Sequence, residues 1–150
     1  APSAISRLVE LGVPPYLINA TLLGVMAQRL VRTFCPHCKR PEENLTFSDL
    51  MLLLKPWQLD QTAPPAFTPY RAQGCIECRM TGFKGRTGLY ELLVMTDALK
   101  ALVTKTPDTS ALRKQAITDG MYPLRLSGLL RVATGISSVS EVLQTTPAPE

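Results

Sequence analysis

Cys35-Pro36-His37-Cys38 and Cys75-Ile76-Glu77-Cys78 are the two stretches that decide the fold of this 150-residue chain. They hold all four of its cysteines, and 36 residues lie between them. A C-x-x-C turn presents its sulfurs on one side of the backbone, and a pair of such turns closes the tetrahedral four-sulfur site of structural zinc. The spacing therefore predicts one zinc site that fastens two distant parts of the chain together. Its ligands would be Cys35, Cys38, Cys75 and Cys78.

Other interpretations of these cysteines remain open. A pair of disulfides would suit a secreted protein, and a C-x-x-C pair can carry redox chemistry or bind iron. The chain is not small, has no basic-then-apolar signal segment and pairs its cysteines twice in the same way, which favours zinc. A zinc site implies a reducing compartment, so the sequence predicts a cytoplasmic protein.

The sequence contains no candidate catalytic motif. His37, the only histidine, is predicted to be a bystander, because four thiolates already complete a tetrahedron and leave no position for a catalytic water. The sequence contains no G-x-x-x-x-G-K-[ST], H-E-x-x-H or G-x-S-x-G pattern. The basic, glycine-rich stretch 82–88 lacks the phosphate-binding spacing, and its glycines are expected to supply unusual backbone angles. No catalytic and no cofactor-binding residue is predicted.

The net charge of +4 comes from cations that are spread along the chain. Nucleic-acid binding would need Lys and Arg clustered on one face with aromatic residues between them, so nucleic acid is not an expected partner. Cations near the cysteines would offset the charge of about −2 on a tetrathiolate zinc site. A weak contact with anionic lipid or an acidic partner is the alternative. These cations are Arg29, Arg32, Lys39, Arg40, Arg71, Arg79, Lys84 and Arg86.

The first part of the chain is expected to be helical and then extended. A helix over 3–11 would be capped by Ser3 and ended by Gly12. Pro14-Pro15 would open a second helix, apolar on most sides as far as Met26 and therefore buried. Alternation over 28–34 favours a strand, although continuation of the helix to Thr33 is the other interpretation.

Between the cysteine pairs, Thr46 and Asp49 resemble a capping box for a short helix that Pro56 would stop. Trp57 and Leu59 are expected to pack this helix against the metal site, and 60–69 is expected to be irregular. A strand over 86–94 would pair antiparallel with 28–34. Further helices are predicted after Thr96-Asp97, after Asp108-Thr109, over 123–134 and after a capping box at Ser138-Val139-Ser140-Glu141.

Several stretches resemble one protein family, the motor ATPases of bacterial type II secretion and type IV pilus assembly (the GspE, PulE and PilB group). The stretches are 12–18, 22–32 with the first cysteine pair, 74–92 with its Gly-Arg-Thr-Gly-Leu-Tyr-Glu run, and 120–143 with its Gly-Ile-Ser-Ser-Val-Ser-Glu run. The start at Ala1-Pro2-Ser3-Ala4 lacks an initiator methionine, so we expect the C-terminal portion of a longer protein.

The resemblance implies a hexameric RecA-like ATPase that is attached to inner-membrane platform proteins. Residues 1–34 and 85–95 would be the end of its core, 35–84 a tetracysteine zinc insertion, 96–145 a small helical domain and 146–150 a tail. The expected class is mixed α/β, with a short β-ribbon. Loss of the metal is expected to unfold 35–84 and to leave 96–145 helical.

The ATP site of that family would lie in the missing upstream part. ATP and Mg²⁺ are therefore expected only in the full-length parent, and this chain alone is predicted to be inactive. Gln28 and Arg29 belong to the family pattern but receive no role. The alternatives are a stand-alone zinc ribbon that binds nucleic acid and a zinc-held protein-interaction module, and the choice between the secretion and the pilus branch stays open.

Overall fold

The computed structural model describes residues 1–55 and 66–148. Its helices are α1 (Pro2–Glu10), α2 (Pro15–Thr21), α3 (Phe47–Leu52), α4 (Asp97–Leu102), α5 (Thr109–Thr118), α6 (Leu124–Ala133) and α7 (Val139–Thr145). Its strands are β1 (Gly24–Phe34), β2 (Arg40–Pro41), β3 (Tyr70–Arg71) and β4 (Phe83–Val94), and they form the two-stranded sheets β1–β4 and β2–β3. The mixed α/β class is confirmed. No helix in these ranges is long and apolar enough to cross a membrane.

The ribbon of β1 and β4 is antiparallel. Gly24 lies against Leu93 near one end, and near the other end the Thr33 hydroxyl donates a hydrogen bond of 2.6 Å to the Lys84 carbonyl oxygen. The predicted pairing of 28–34 with 86–94 is confirmed, and both strands are longer than expected.

The predicted second helix is wrong in its C-terminal half. The helix ends at Thr21, and Gly24–Met26 belong to β1. An apolar run without a clear period suits either a buried helix or a strand, and pairing with β4 decides for the strand. A Cβ at Gly24 would lie 2.7 Å from the Leu93 carbonyl oxygen, so glycine permits this close pairing.

The packing divides the chain into two compact units, of which the first comprises residues 1–27 and 90–123. Its core joins residues of α1, α2, β4, α4 and α5, among them Ile5, Ile18, Leu93, Leu99 and Leu112. Thr96 and Asp108 cap α4 and α5 as predicted. Ser3 does not cap α1, because that helix already begins at Pro2.

The second unit consists of the described residues of 28–89 and 124–150. Its core joins Leu50 and Leu54, from the segment between the cysteine pairs, to α6 and α7 through Leu126, Leu129, Val132, Ala133 and Val142. The capping box of Thr46 and Asp49 at α3 is confirmed. The predicted boundaries 1–34 with 85–95, 35–84 and 96–145 stay a prediction. Pro56, Trp57, Leu59 and residues 60–65 lie outside the described residues.

Candidate metal centre

The structure brings the four predicted cysteine sulfurs together in the second unit. Cys35 and Cys38 follow the end of β1, and Cys75 and Cys78 precede the start of β4. Because β1 and β4 are paired, their adjacent ends carry both turns to one place. The Sγ–Sγ distances are 3.8 Å for Cys35–Cys75, Cys38–Cys78 and Cys75–Cys78, and all four sulfurs lie within 4.8 Å of one another.

These distances fit a tetrahedral metal site. With metal–sulfur bonds of about 2.3 Å, the edges of a tetrahedron of sulfurs around zinc measure about 3.8 Å. A disulfide bond would require about 2.05 Å, and the four thiols are free. Four clustered cysteine sulfurs therefore can hold one metal ion, and their soft donor set suits zinc.

Backbone amides point at these sulfurs. The N–H of Gly74 donates to Cys38 Sγ at 3.3 Å, and the N–H groups of Cys75 and Gly82 donate to Cys78 Sγ at 3.2 and 3.1 Å. Burial raises the pKa of the Cys38 thiol to about 11. For Cys78 burial also raises the pKa, but the amides of Cys75 and Gly82 and the neighbouring thiols together lower it to about 6. A bound cation would favour the thiolate form of all four.

The glycines next to the second turn allow the chain to close around the sulfurs. A Cβ at Gly82 would lie 2.5 Å from the Ala72 Cβ, and one at Gly74 would lie 2.8 Å from the Met80 carbonyl oxygen. Gly82 and Gly85 have positive φ angles, as expected for the stretch 82–88, whereas Gly88 does not.

His37 is exposed in the first turn and is not part of the sulfur cluster.

An ion pair beside the first turn was not predicted. Arg32 donates to Glu141 from Nη2 at 2.6 Å, from Nε at 3.0 Å and from its backbone N–H at 3.1 Å. Its guanidinium lies 4.4 Å from the centre of the Phe83 ring, which stacks on Phe34. The sequence predicts that Ser138 and Glu141 form a capping box at the start of α7. Only one half of this box forms, in which the Ser138 hydroxyl oxygen accepts a hydrogen bond from the Glu141 backbone N–H. Only tertiary structure brings residues 32 and 141 together.

Glu141→Gln is expected to lower the free energy of unfolding at pH 7 by about 1 kcal/mol, because the hydrogen bonds from Arg32 to a charged carboxylate are lost. The loss is no larger because Arg32 is 49% exposed and solvent screens the ion pair. The hydrogen bonds from Arg32 hold the pKa of Glu141 below its usual range. Its contribution is therefore fully present above the ordinary glutamate pKa and is lost as the pH falls through the lowered folded-state value.

Urea unfolding of Glu141→Gln and the unsubstituted protein at several pH values tests this, since the difference in unfolding free energy should shrink in acid. Glu10→Gln is the control, because Glu10 pairs with Arg7 on the exposed surface and should change little. A difference that is equal at pH 7 and at pH 3 would contradict the role of the carboxylate charge.

Comparison with known proteins gives consistent matches. Residues 1–144 match the family described as "Type II/IV secretion system protein". The type IV pilus assembly ATPase TfpB of Acinetobacter baylyi is 43% identical over 150 residues, which cover 98% of this chain and 24% of that protein. The type IV pilus assembly ATPase PilB of Myxococcus xanthus is 38% identical over 100% of this chain and 26% of its own length. The type II secretion system protein E of Pseudomonas aeruginosa is 40% identical over 97% of this chain and 28% of its own length. The chain thus spans about a quarter of the length of these curated relatives.

Proposed function

Because the chain belongs to the type II/IV secretion system protein family, we propose that it is the C-terminal, zinc-binding region of a hexameric cytoplasmic ATPase that powers type II secretion or type IV pilus assembly. The observation that carries the zinc part is the cluster of Cys35, Cys38, Cys75 and Cys78, whose sulfurs have the spacing of a tetrahedral site. These four residues would hold the zinc, which would supply a structural crosslink. A four-sulfur site has no open position for water, so it does not hydrolyse ATP.

The exposed face of the ribbon supports the proposal that 1–34 and 85–95 complete a RecA-like core. Along β4 the buried residues Leu89, Glu91 and Leu93 alternate with the exposed Tyr90, Leu92 and Val94. In the first unit, Leu23 and Met26 are also exposed. Soluble proteins usually cover a contiguous apolar face of this kind. Since the relatives are about four times longer than the matched region, the remaining part of such a parent is the proposed cover.

The proposed partners follow from this parent. They are the other subunits of a homohexamer and inner-membrane platform proteins, through which the protein would associate peripherally with the inner membrane. ATP and Mg²⁺ would bind only in the full-length parent. The zinc-ribbon alternative is not favoured, because the whole matched length is similar to secretion and pilus proteins.

Native mass spectrometry of the purified chain tests the metal. We expect one zinc per chain, lost after chelation or acid treatment, because the cysteines provide a complete ligand set. Cys75→Ser should lose the zinc, and His37→Ala, the matched control in the other turn, should keep it. A metal-free mass lower by about four protons would mean disulfides and would refute the zinc site.

The parent role has a separate test. The full-length protein should hydrolyse ATP, and this chain alone should not exceed a buffer blank. Turnover by the isolated chain would show a nucleotide site among residues 1–150 and would contradict the proposal that only the full-length protein hydrolyses ATP.

A further inference from the structure

The second cysteine turn carries an exposed apolar surface that the zinc site does not use. Ile76 is 88% exposed and Met80 is 71% exposed, and both lie on the six-residue loop from Cys75 to Met80. Arg79, between them in sequence, is also exposed. We call Ile76, Arg79 and Met80 the knuckle tip.

The backbone of the knuckle tip is unfavourable for the side chains it carries. Arg79 has φ +53° and Met80 has φ +64°, so adjacent non-glycine residues occupy the left-handed region. This backbone lets the Met80 N–H donate to the Cys75 carbonyl oxygen at 2.8 Å. Glycine would make the same bond without the steric cost. The hydrogen bonding of the loop therefore explains the backbone but not the two large side chains, which point to a role at the surface.

The charges around the knuckle tip are mostly positive. Arg79, Lys84 and Arg86 are exposed, and the single acidic residue among 75–86, Glu77, lies 3.9 Å from Lys84. A partner for this surface therefore carries apolar groups to receive Ile76 and Met80, with carboxylates beside them to pair with the cations.

The knuckle tip is also held rigidly. The amides of Cys75 and Gly82 donate to Cys78 Sγ, and the Thr81 hydroxyl donates to the Cys78 carbonyl oxygen at 2.7 Å. A loop that is fixed in this way loses little conformational entropy on binding.

We propose that the knuckle tip docks into an apolar recess bordered by carboxylates on a partner protein. A protein recess fits better than an anionic membrane, because segments that bind anionic lipid usually cluster about four to eight Lys and Arg residues, whereas this surface has three exposed cations with Glu77 among them. The inference rests on the proposed function only through the metal that holds the turn.

The first experiment places the photocrosslinking amino acid p-benzoylphenylalanine at position 76 of the full-length protein in its own cells. The adduct is identified by mass spectrometry. Position 52 on α3, where Leu52 is 64% exposed, is the control. We expect an adduct from position 76 and none from position 52, with Asp or Glu residues flanking the apolar crosslinked segment of the partner.

The second experiment measures the dissociation constant of the purified partner for the full-length protein by calorimetry. Met80→Gly should weaken binding about tenfold or more while its melting temperature stays equal or rises, because glycine relieves the left-handed strain. Leu52→Ser should leave the dissociation constant unchanged, and added salt should weaken binding of the unsubstituted protein.

No adduct from position 76, or equal affinity for Met80→Gly, would overturn the proposal. The proposal would also be overturned if no protein adduct forms and the full-length protein binds phosphatidylglycerol vesicles but Met80→Gly does not. The knuckle tip would then be a membrane contact. Zinc content and ATPase activity are measured on the same samples. If both are normal and the adduct is absent, only the knuckle-tip inference fails.

Discussion

Cys35→Ser is expected to unfold α6 and α7 together with the cysteine turns, while α1, α4 and α5 remain folded. Leu50 and Leu54, from the segment that the metal would close, form one core with the residues of α6 and α7. Backbone hydrogen bonds of 2.9 Å join Phe34 to Ile136 and Thr68 to Ala133. Zinc binding to such sites supplies roughly 10 kcal/mol or more of folding free energy. Loss of the metal should therefore unfold the segment that carries Leu50 and Leu54, and α6 and α7 should unfold with it because they share its core.

Hydrogen exchange with mass spectrometry measures this result segment by segment. Peptides from 124–133 and 139–145 should lose protection in Cys35→Ser and in the chelated protein. Peptides from 2–10, 97–102 and 109–118 should keep it, because their core is separate. His37→Ala is the control in the same turn. Full protection of α6 and α7 in Cys35→Ser would mean that these helices fold without the metal site.

The sequence alone predicts that all helices of 96–145 survive loss of the metal, whereas the core that α6 and α7 share with Leu50 and Leu54 predicts that these two helices do not. The sequence indicates where the helices of 96–145 start, but the shared core depends on packing between distant parts of the chain, since Leu50, Leu129 and Val142 belong to one cluster. No short-range pattern encodes such contacts.

Gly135→Ala is expected to lower the free energy of unfolding of the second unit by about 3 kcal/mol, from left-handed strain and overpacking combined. Gly135 has φ +73°, and a Cβ there would lie 2.4 Å from Tyr70 Cδ2 and 2.6 Å from the Thr68 carbonyl oxygen. Tyr70 is itself fixed by Lys39, whose Nζ lies 4.2 Å from the ring centre and donates to the Gly135 carbonyl oxygen at 3.3 Å. The ring therefore has little freedom to move away.

Gly120→Ala is the matched control. Gly120 also has a positive φ, of +101°, but nothing lies within 4 Å of its Cβ position. Gly120→Ala should lower the free energy of unfolding only through backbone strain, by about 1–2 kcal/mol. Urea unfolding of the three proteins, with local exchange rates to assign each loss to its unit, checks the difference. Equal decreases in the free energy of unfolding for the two variants would show that the close contact of Gly135 with Tyr70 does not contribute to the effect of Gly135→Ala.

The sequence predicted the parts of this structure that depend on local chemistry. The cysteine spacing identified the clustered sulfurs, and the caps at Thr46, Thr96 and Asp108 marked the starts of their helices. The prediction failed from Leu22 to Met26, where an apolar run suits either a helix or a strand and pairing with β4 decides for the strand. It also missed the left-handed Arg79 and Met80, because only closure around the sulfurs requires that conformation.

The closed arrangement of the cysteine turns has a consequence for how this region can change during evolution. Once both ends of the 36-residue segment between Cys38 and Cys75 are fixed at one place, the entropy of closing it depends only weakly on its length. Doubling such a loop costs only about 0.6 kcal/mol. Insertions outside α3 and the β2–β3 pair should therefore accumulate here at little cost, and this segment is where the lengths of family members should differ most.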